Sequence, residues 1–208
     1  KALGVETILH SNDSGIAEQH AQKLAKEQGK IYVSPYNDPQ IIAGQGTLAI
    51  ELLDQLPRLD VVYVSIGGGG LISGIGSVLK AFSPKTRVVG VSAKNSAELA
   101  ASIRAGKMVK VDHQETLADG CAGGVDNDTI TLGLGTQVID DLIDCSENQI
   151  VSGLQQIAWS EKMLVEGSAG LAYAAWQEDA RNNKNKISAV VLCGANFDKE
   201  TLSPIVNL

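Results

Sequence analysis

Short apolar runs alternate along this chain with stretches whose apolar residues recur every three to four positions. Residues 7–10 form a weak strand candidate, after which Ser11, Asp13 and Ser14 offer helix caps. Ala17, Ala21, Leu24 and Gln28 follow helical spacing, and Gly29 is placed to end that helix. Residues 31–34 read as a short strand, and Pro35 and Pro39 bracket a loop. Leu48, Leu52 and Leu56 share one face of a helix predicted over 47–56, which Pro57 stops.

The run 61–66 (VVYVSI) is almost wholly apolar and rich in β-branched residues. Such a strand is buried on both faces, as in a parallel sheet. A glycine tract follows, then a helix over 71–82 closed by Pro84. Residues 87–91 form another short buried strand, and 97–105 a helix ended by Gly106. Ser146 and Gln149 make a capping-box pattern ahead of Ile150, Leu154 and Ile157. Residues 168–180 form an alanine-rich helix, and 187–193 a last buried strand. This alternation predicts an α/β fold, an open, mostly parallel sheet with helices on both faces.

Composition narrows the function classes. The 208 residues suffice for one large domain, or one domain plus a remnant. With 17 basic against 24 acidic residues the formal charge is -7, which argues against nucleic acid and against an anionic membrane surface. No apolar run approaches a membrane span. Cys121, Cys145 and Cys193 are odd in number and widely spaced, which reads as a reducing, cytoplasmic setting, and no C-x-x-C metal spacing occurs. A first residue that is lysine, not methionine, reads as a processed or truncated product.

The 22 glycines are informative because they cluster. Gly67, Gly68, Gly69 and Gly70, followed by Leu71, leave a buried strand and open a helix. Backbone amides without Cβ atoms converge there, and the helix N-terminus adds its unpaired donors, an arrangement suited to a phosphate. The spacing excludes the dinucleotide fingerprint, because Ile72 and Ser73 stand where a glycine is required, and G-K-[ST] is absent. Tight helix–strand packing is the alternative explanation of the same glycines, with phosphate binding the preferred one. Cys193, in Cys193-Gly194-Ala195-Asn196, ends the last strand in the same layer; it is either a wall of a ligand crevice or a small buried apolar residue. Glu166, before Gly167 and Ser168, faces that crevice or forms a solvated turn, and Asp119-Gly120 lies in a glycine-rich loop. His10, His20 and His113 are scattered and receive no role.

In order, the sequence carries Ile42-Ala43-Gly44-Gln45-Gly46-Thr47, the glycine tract with Leu71, Leu117-Ala118-Asp119-Gly120, Glu166 and Cys193-Gly194-Ala195-Asn196. The ordered set resembles the serine/threonine dehydratase group of fold-type II pyridoxal-phosphate enzymes, which includes serine racemases. The resemblance covers essentially the whole chain. It implies a large cofactor domain over 36–208 and a remnant of a small domain over 1–35. It implies pyridoxal 5'-phosphate as cofactor, a small amino-acid substrate, and a homodimer when the protein is complete. Gly67, Gly68, Gly69, Gly70 and Leu71 would cradle the cofactor phosphate and Gly120 would lie near its ring. Cys193 stands where the family places a Ser or Thr against the pyridine nitrogen, with Glu166 as a supporting carboxylate.

The sequence also departs from that pattern. The family's lysine segment, S-F-K-x-R-G, and its substrate-binding Ser-x-Gly-Asn-His loop match no stretch here, Lys1 included. The resemblance therefore places the catalytic lysine upstream of Lys1 and predicts that this chain alone is inactive. Ser92 occupies the position of a metal-binding Glu of serine racemases, although Glu98 matches a second acidic ligand, so no metal is expected. Tyr36 replaces an Asn of serine racemase-like sequences. The implied reaction is deamination of a serine- or threonine-type amino acid by β-elimination, with racemisation and a non-catalytic phosphate-binding role as alternatives.

Overall fold

The computed structural model describes residues 4–11 and 13–207; Lys1 lies outside them. The elements run α1 (Ser14–Glu27), α2 (Pro39–Gln55), β1 (Val61–Ser65), α3 (Gly70–Phe82), β2 (Arg87–Ala93), α4 (Glu98–Ala105), α5 (Ile130–Val138), β3 (Asp141–Cys145), α6 (Glu147–Gln156), α7 (Gly167–Glu178), β4 (Ser188–Val190) and α8 (Lys199–Val206). The strands form one sheet in the order β3-β2-β1-β4, and every pairing is parallel. The α/β class expected from the alternation is the one observed.

Strand periodicity divides the core. Val61 and Tyr63 of β1 and Val89 and Val91 of β2 join one apolar cluster with α6, α7 and α8. Val62, Val64 and Val88 point to the other face and pack with α2 and α3. A strand with both faces covered reads as the continuous apolar run seen at 61–66.

Local chemistry accounts for most element ends. Asp13 caps α1 by accepting the Ile16 amide, and Gly29 adopts a left-handed φ of +63° just past its end. Ser146 and Gln149 form the expected capping box of α6. Gly106, φ +68°, closes α4.

Several expectations are corrected. Residues 7–10 and 31–34 are not strands; they run without ladder partners, and Leu9 and Ile31 are exposed. The helix expected over 47–56 begins at Pro39, with Asp38 as cap and Pro39 at its first position. Gly46 lies within this helix, where a Cβ would stand 3.1 Å from Val78 Cγ2 of α3. The last strand is shorter than 187–193 and is only partly buried. The pairs α5 and β3, and α8 at the end, carried no expectation. β3 is an edge strand whose Asp141 and Asp144 interrupt any apolar run; they pair with Arg87 and Arg104.

Candidate functional site

The carboxyl ends of the strands open into a cavity of about 660 Å³. All eight residues singled out in the sequence line it: Gly67, Gly68, Gly69, Gly70, Leu71, Gly120, Glu166 and Cys193. Parallel sheets place ligand crevices at this end, because the loops leaving the strands converge there.

The glycine tract forms one wall. Gly69 is the N-cap of α3 at a left-handed φ of +85°, and no side chain caps that helix. The tract's carbonyls are engaged elsewhere: Thr131 Oγ1 donates to Gly68 O at 2.7 Å and the Ser73 amide to Gly69 O at 3.0 Å. Among the described residues, the amides of Gly67, Gly68, Gly69, Gly70 and Leu71 donate to no protein acceptor. Five free donors at a helix N-terminus have the chemistry that suits an anion. The packing explanation holds at the same time. A Cβ on Gly67 would stand 2.9 Å from Cys121 Cα, and one on Gly70 2.9 Å from Tyr36 Cα. The tract is squeezed between the 119–124 loop and Tyr36, and the same glycines leave its amides free.

The opposite wall comes from α7 and the chain leaving β4. Glu166 is the N-cap residue of α7. Its amide donates to Gly194 O at 3.1 Å, and its Oε2 accepts the Asn196 amide at 2.9 Å. Cys193 is exposed on the cavity wall. Desolvation, reinforced by the Glu166 carboxylate, pushes its thiol up to about 11. At neutral pH it is a neutral thiol. Behind it Ser168, 1% exposed, holds an Oγ without a partner, and a Cβ on Gly120 would stand 3.1 Å from that oxygen. Ser65, at the end of β1, donates to Ser168 O at 2.6 Å and fixes α7 to the sheet.

Two residues close the remaining side: Tyr36, which stands where serine racemase-like sequences have an Asn near the cofactor, and Glu18, which the sequence does not mark. Tyr36 is buried, and the Asp126 amide donates to its hydroxyl at 2.9 Å. Glu18 of α1 lines the cavity, and its Oε2 is buried without a partner. Burial, and then the Asp126 carboxylate, raise the Glu18 carboxyl. Nothing in the local sequence marks Glu18, which looks like one more polar position on an amphipathic helix. Glu98, matched above to a metal ligand, has both oxygens committed to Lys110, His113 and the Val125 amide. Among the described residues no cluster of three or more His, Cys, Asp or Glu is arranged to hold a metal. No helix among them is long and apolar enough to cross a membrane.

A family model described as "Pyridoxal-phosphate dependent enzyme" matches residues 1–194. The chain is 34% identical over 205 residues to the L-threonine ammonia-lyase of Thermotoga maritima, a match that covers 99% of this chain and 51% of that protein. It is 32% identical over 202 residues to the catabolic L-threonine dehydratase of Escherichia coli (strain K12), covering 96% of this chain and 61% of that one. The chain thus spans about half to three-fifths of these relatives. Among solved structures, the processed form of threonine deaminase isoform 2 from Solanum lycopersicum superposes with a TM-score of 0.89 at 28% identity, over 99% of this chain and 60% of that one. Maize serine racemase superposes with a TM-score of 0.86 at 28% identity, over 98% and 63%.

Proposed function

Because the chain belongs to the pyridoxal-phosphate dependent enzymes, we propose that the cavity is its cofactor site and that the whole protein is a lyase deaminating a small hydroxy amino acid of the serine or threonine type. The convergence of the eight residues on one cavity, with five acceptor-free amides at one wall, carries this reading. The residues present fit the cofactor. The glycine tract and the N-terminus of α3 offer donors for its phosphate, and the Cys193 side offers a neutral thiol for its ring nitrogen.

Bound there, pyridoxal phosphate supplies an electron sink for negative charge at the α-carbon of an amino acid. The protein would tune that sink through the group placed beside the ring nitrogen, for which Cys193 is the residue present. A carboxylate in direct contact would hold the nitrogen protonated; the Cys193 thiol does not, and Glu166 stays bound to the Asn196 amide. A weaker sink favours prompt loss of the β-hydroxyl over transamination. Gly120 would let the loop approach the ring without a side chain between them, and Tyr36 and Glu18 would wall the cavity that holds it. The base that moves the α-proton is assigned to a lysine outside this chain, since no residue here matches the family's lysine segment. On this reading residues 1–35 belong to a small domain, the complete protein is a homodimer, and the isolated chain is inactive.

The likeness to maize serine racemase favours a second reading, racemisation. The chirality of serine recovered after incubation separates the two.

The test is borohydride reduction of the complete native protein followed by peptide mapping, together with assay of keto acid and ammonia from L-serine and L-threonine. A phosphopyridoxyl lysine outside residues 1–208 and release of a keto acid are expected. A protein that takes up no pyridoxal phosphate would overturn the reading.

A further inference from the structure

Two buried side chains at the start of α4 reach across to the loop that walls the cavity. Glu98 is 2% exposed; its Oε1 accepts the Val125 amide and Lys110 Nζ, each at 3.0 Å, and its Oε2 meets His113 Nε2 at 3.1 Å. Ser96, two residues earlier and 3% exposed, accepts the Gly123 amide at 3.0 Å and meets His113 Nδ1 at 2.8 Å. The donors sort themselves. The Glu98 carboxylate can only accept, so His113 Nε2–H donates to it, and in the neutral ring Nδ1 then accepts from the Ser96 hydroxyl, whose oxygen accepts the Gly123 amide. This assignment comes from the network, as ring protons must.

One imidazole therefore joins the two side chains that hold the amides of Gly123 and Val125. The loop from Asp119 to Val125 carries Gly120 and Cys121, which line the cavity. Gly123 needs its left-handed φ of +107°, and Ser14 of α1 occupies the place of its Cβ. A loop with this backbone and mostly local bonds of its own depends on outside anchors. Burial alone would raise the Glu98 carboxyl, but the Val125 amide, Lys110 and His113 outweigh it and hold it low, as an anchoring carboxylate requires.

We propose that His113 is a positioning residue: by joining Ser96 and Glu98 it sets the 119–125 loop, and with it Gly120 and Cys121, against the cofactor cavity. The cofactor half of this inference rests on the functional reading above; the tether itself does not.

A cavity of about 190 Å³, lined by His113, Glu98 and Lys110 among others, gives small molecules access to the imidazole position. The test uses the complete protein. His113→Ala is expected to weaken pyridoxal phosphate binding, followed by titrating the cofactor-free protein, about tenfold, the worth of one good buried hydrogen bond. It is expected to speed hydrogen exchange at the Gly123 and Val125 amides of the cofactor-free protein while leaving exchange in β1 and β2 unchanged. Added imidazole restores cofactor affinity, which a general loss of stability would not allow. Should His113→Ala not fold, Ser96→Ala removes the hydroxyl that His113 holds and carries the exchange and cofactor titrations, without the imidazole step. Unchanged exchange at both amides overturns the tether. Faster exchange with unchanged cofactor affinity overturns the link to the cavity. A wild-type protein that binds no pyridoxal phosphate overturns the functional reading and the cofactor half with it, and exchange then decides the tether alone.

Discussion

Glu166 and Gly194 compete for one space: a Cβ on Gly194 would stand 2.6 Å from Glu166 Cδ, while the Glu166 amide donates to the Gly194 carbonyl at 3.1 Å. The backbone bond holds the start of α7 to the chain leaving β4, and the missing Cβ lets the carboxylate fold back beside Cys193. Gly194→Ala pushes on the end of a flexible side chain and not on backbone. Its stability cost is expected to be under about 1 kcal/mol, within the range of mild substitutions. The displaced carboxylate loses the Asn196 amide, and cofactor affinity falls several-fold. Thermal melts and cofactor titration of the complete protein check both. A large melting shift would mean that the backbone is the constraint.

Gly68 poses the opposite case. A Cβ there would stand 2.6 Å from Tyr36 Cδ2, and that ring is buried. Gly68→Ala is expected to cost about 1–3 kcal/mol, as overpacking does. Tyr36→Leu should recover part of that loss when combined with it, because the two residues share one contact. Urea denaturation of both single variants and the double variant gives the coupling. Additive costs would show that the tract is constrained by something other than Tyr36.

The glycine tract also shows where sequence is readable and where it is not. Its place between the β1 run and α3 was visible because a two-faced strand and a helix start are local patterns. That its glycines are also needed for packing is not legible, since this depends on Tyr36, 32 residues before Gly68, and Cys121, 54 residues after Gly67. Cys193 and Glu166 were findable because strand ends and helix starts face the crevice of a parallel sheet. Nothing local marks His113, because its partners, Ser96 and Glu98, lie across a loop with no periodicity. β3 was missed for a related reason: its acidic residues suit an edge paired to Arg87 and Arg104, and no apolar run marks it.

At the other end of the sheet Asp179 anchors a buried network. It accepts Tyr63 OH and Arg87 Nη1, each at 2.6 Å. Burial alone would raise its carboxyl, but the bonds from Tyr63, Arg87 and Asn182 outweigh it and hold it below the ordinary value. A folded-state pKa below the unfolded one gives stability that is fully present above the unfolded value, near about 3.9, and lost as pH falls through the folded value. Asp179→Asn is expected to cost about 3 kcal/mol at pH 7, as breaking a buried pair does. The gap between wild type and variant should narrow as pH drops below about 4. Urea midpoints at pH 7 and pH 3.5 measure it; a constant gap would remove the charge from the explanation.

The last prediction concerns Cys193, whose thiol is accessible from the cavity yet pushed up to about 11, first by desolvation and then by Glu166. At pH 8 only about one molecule in a thousand carries the thiolate, the reactive form. Alkylation by iodoacetamide is therefore expected to be slow at pH 8 and to rise about tenfold per pH unit until the thiol titrates. Cys121 and Cys145, buried and each pushed up to about 12, should react later still. Glu166→Gln removes a nearby negative charge, lowers the Cys193 pKa and speeds its alkylation at pH 8. Pyridoxal phosphate should protect Cys193 in the complete protein. Equal alkylation rates with and without the cofactor would mean that this thiol does not face it, and the ring-nitrogen role would have to pass to another residue.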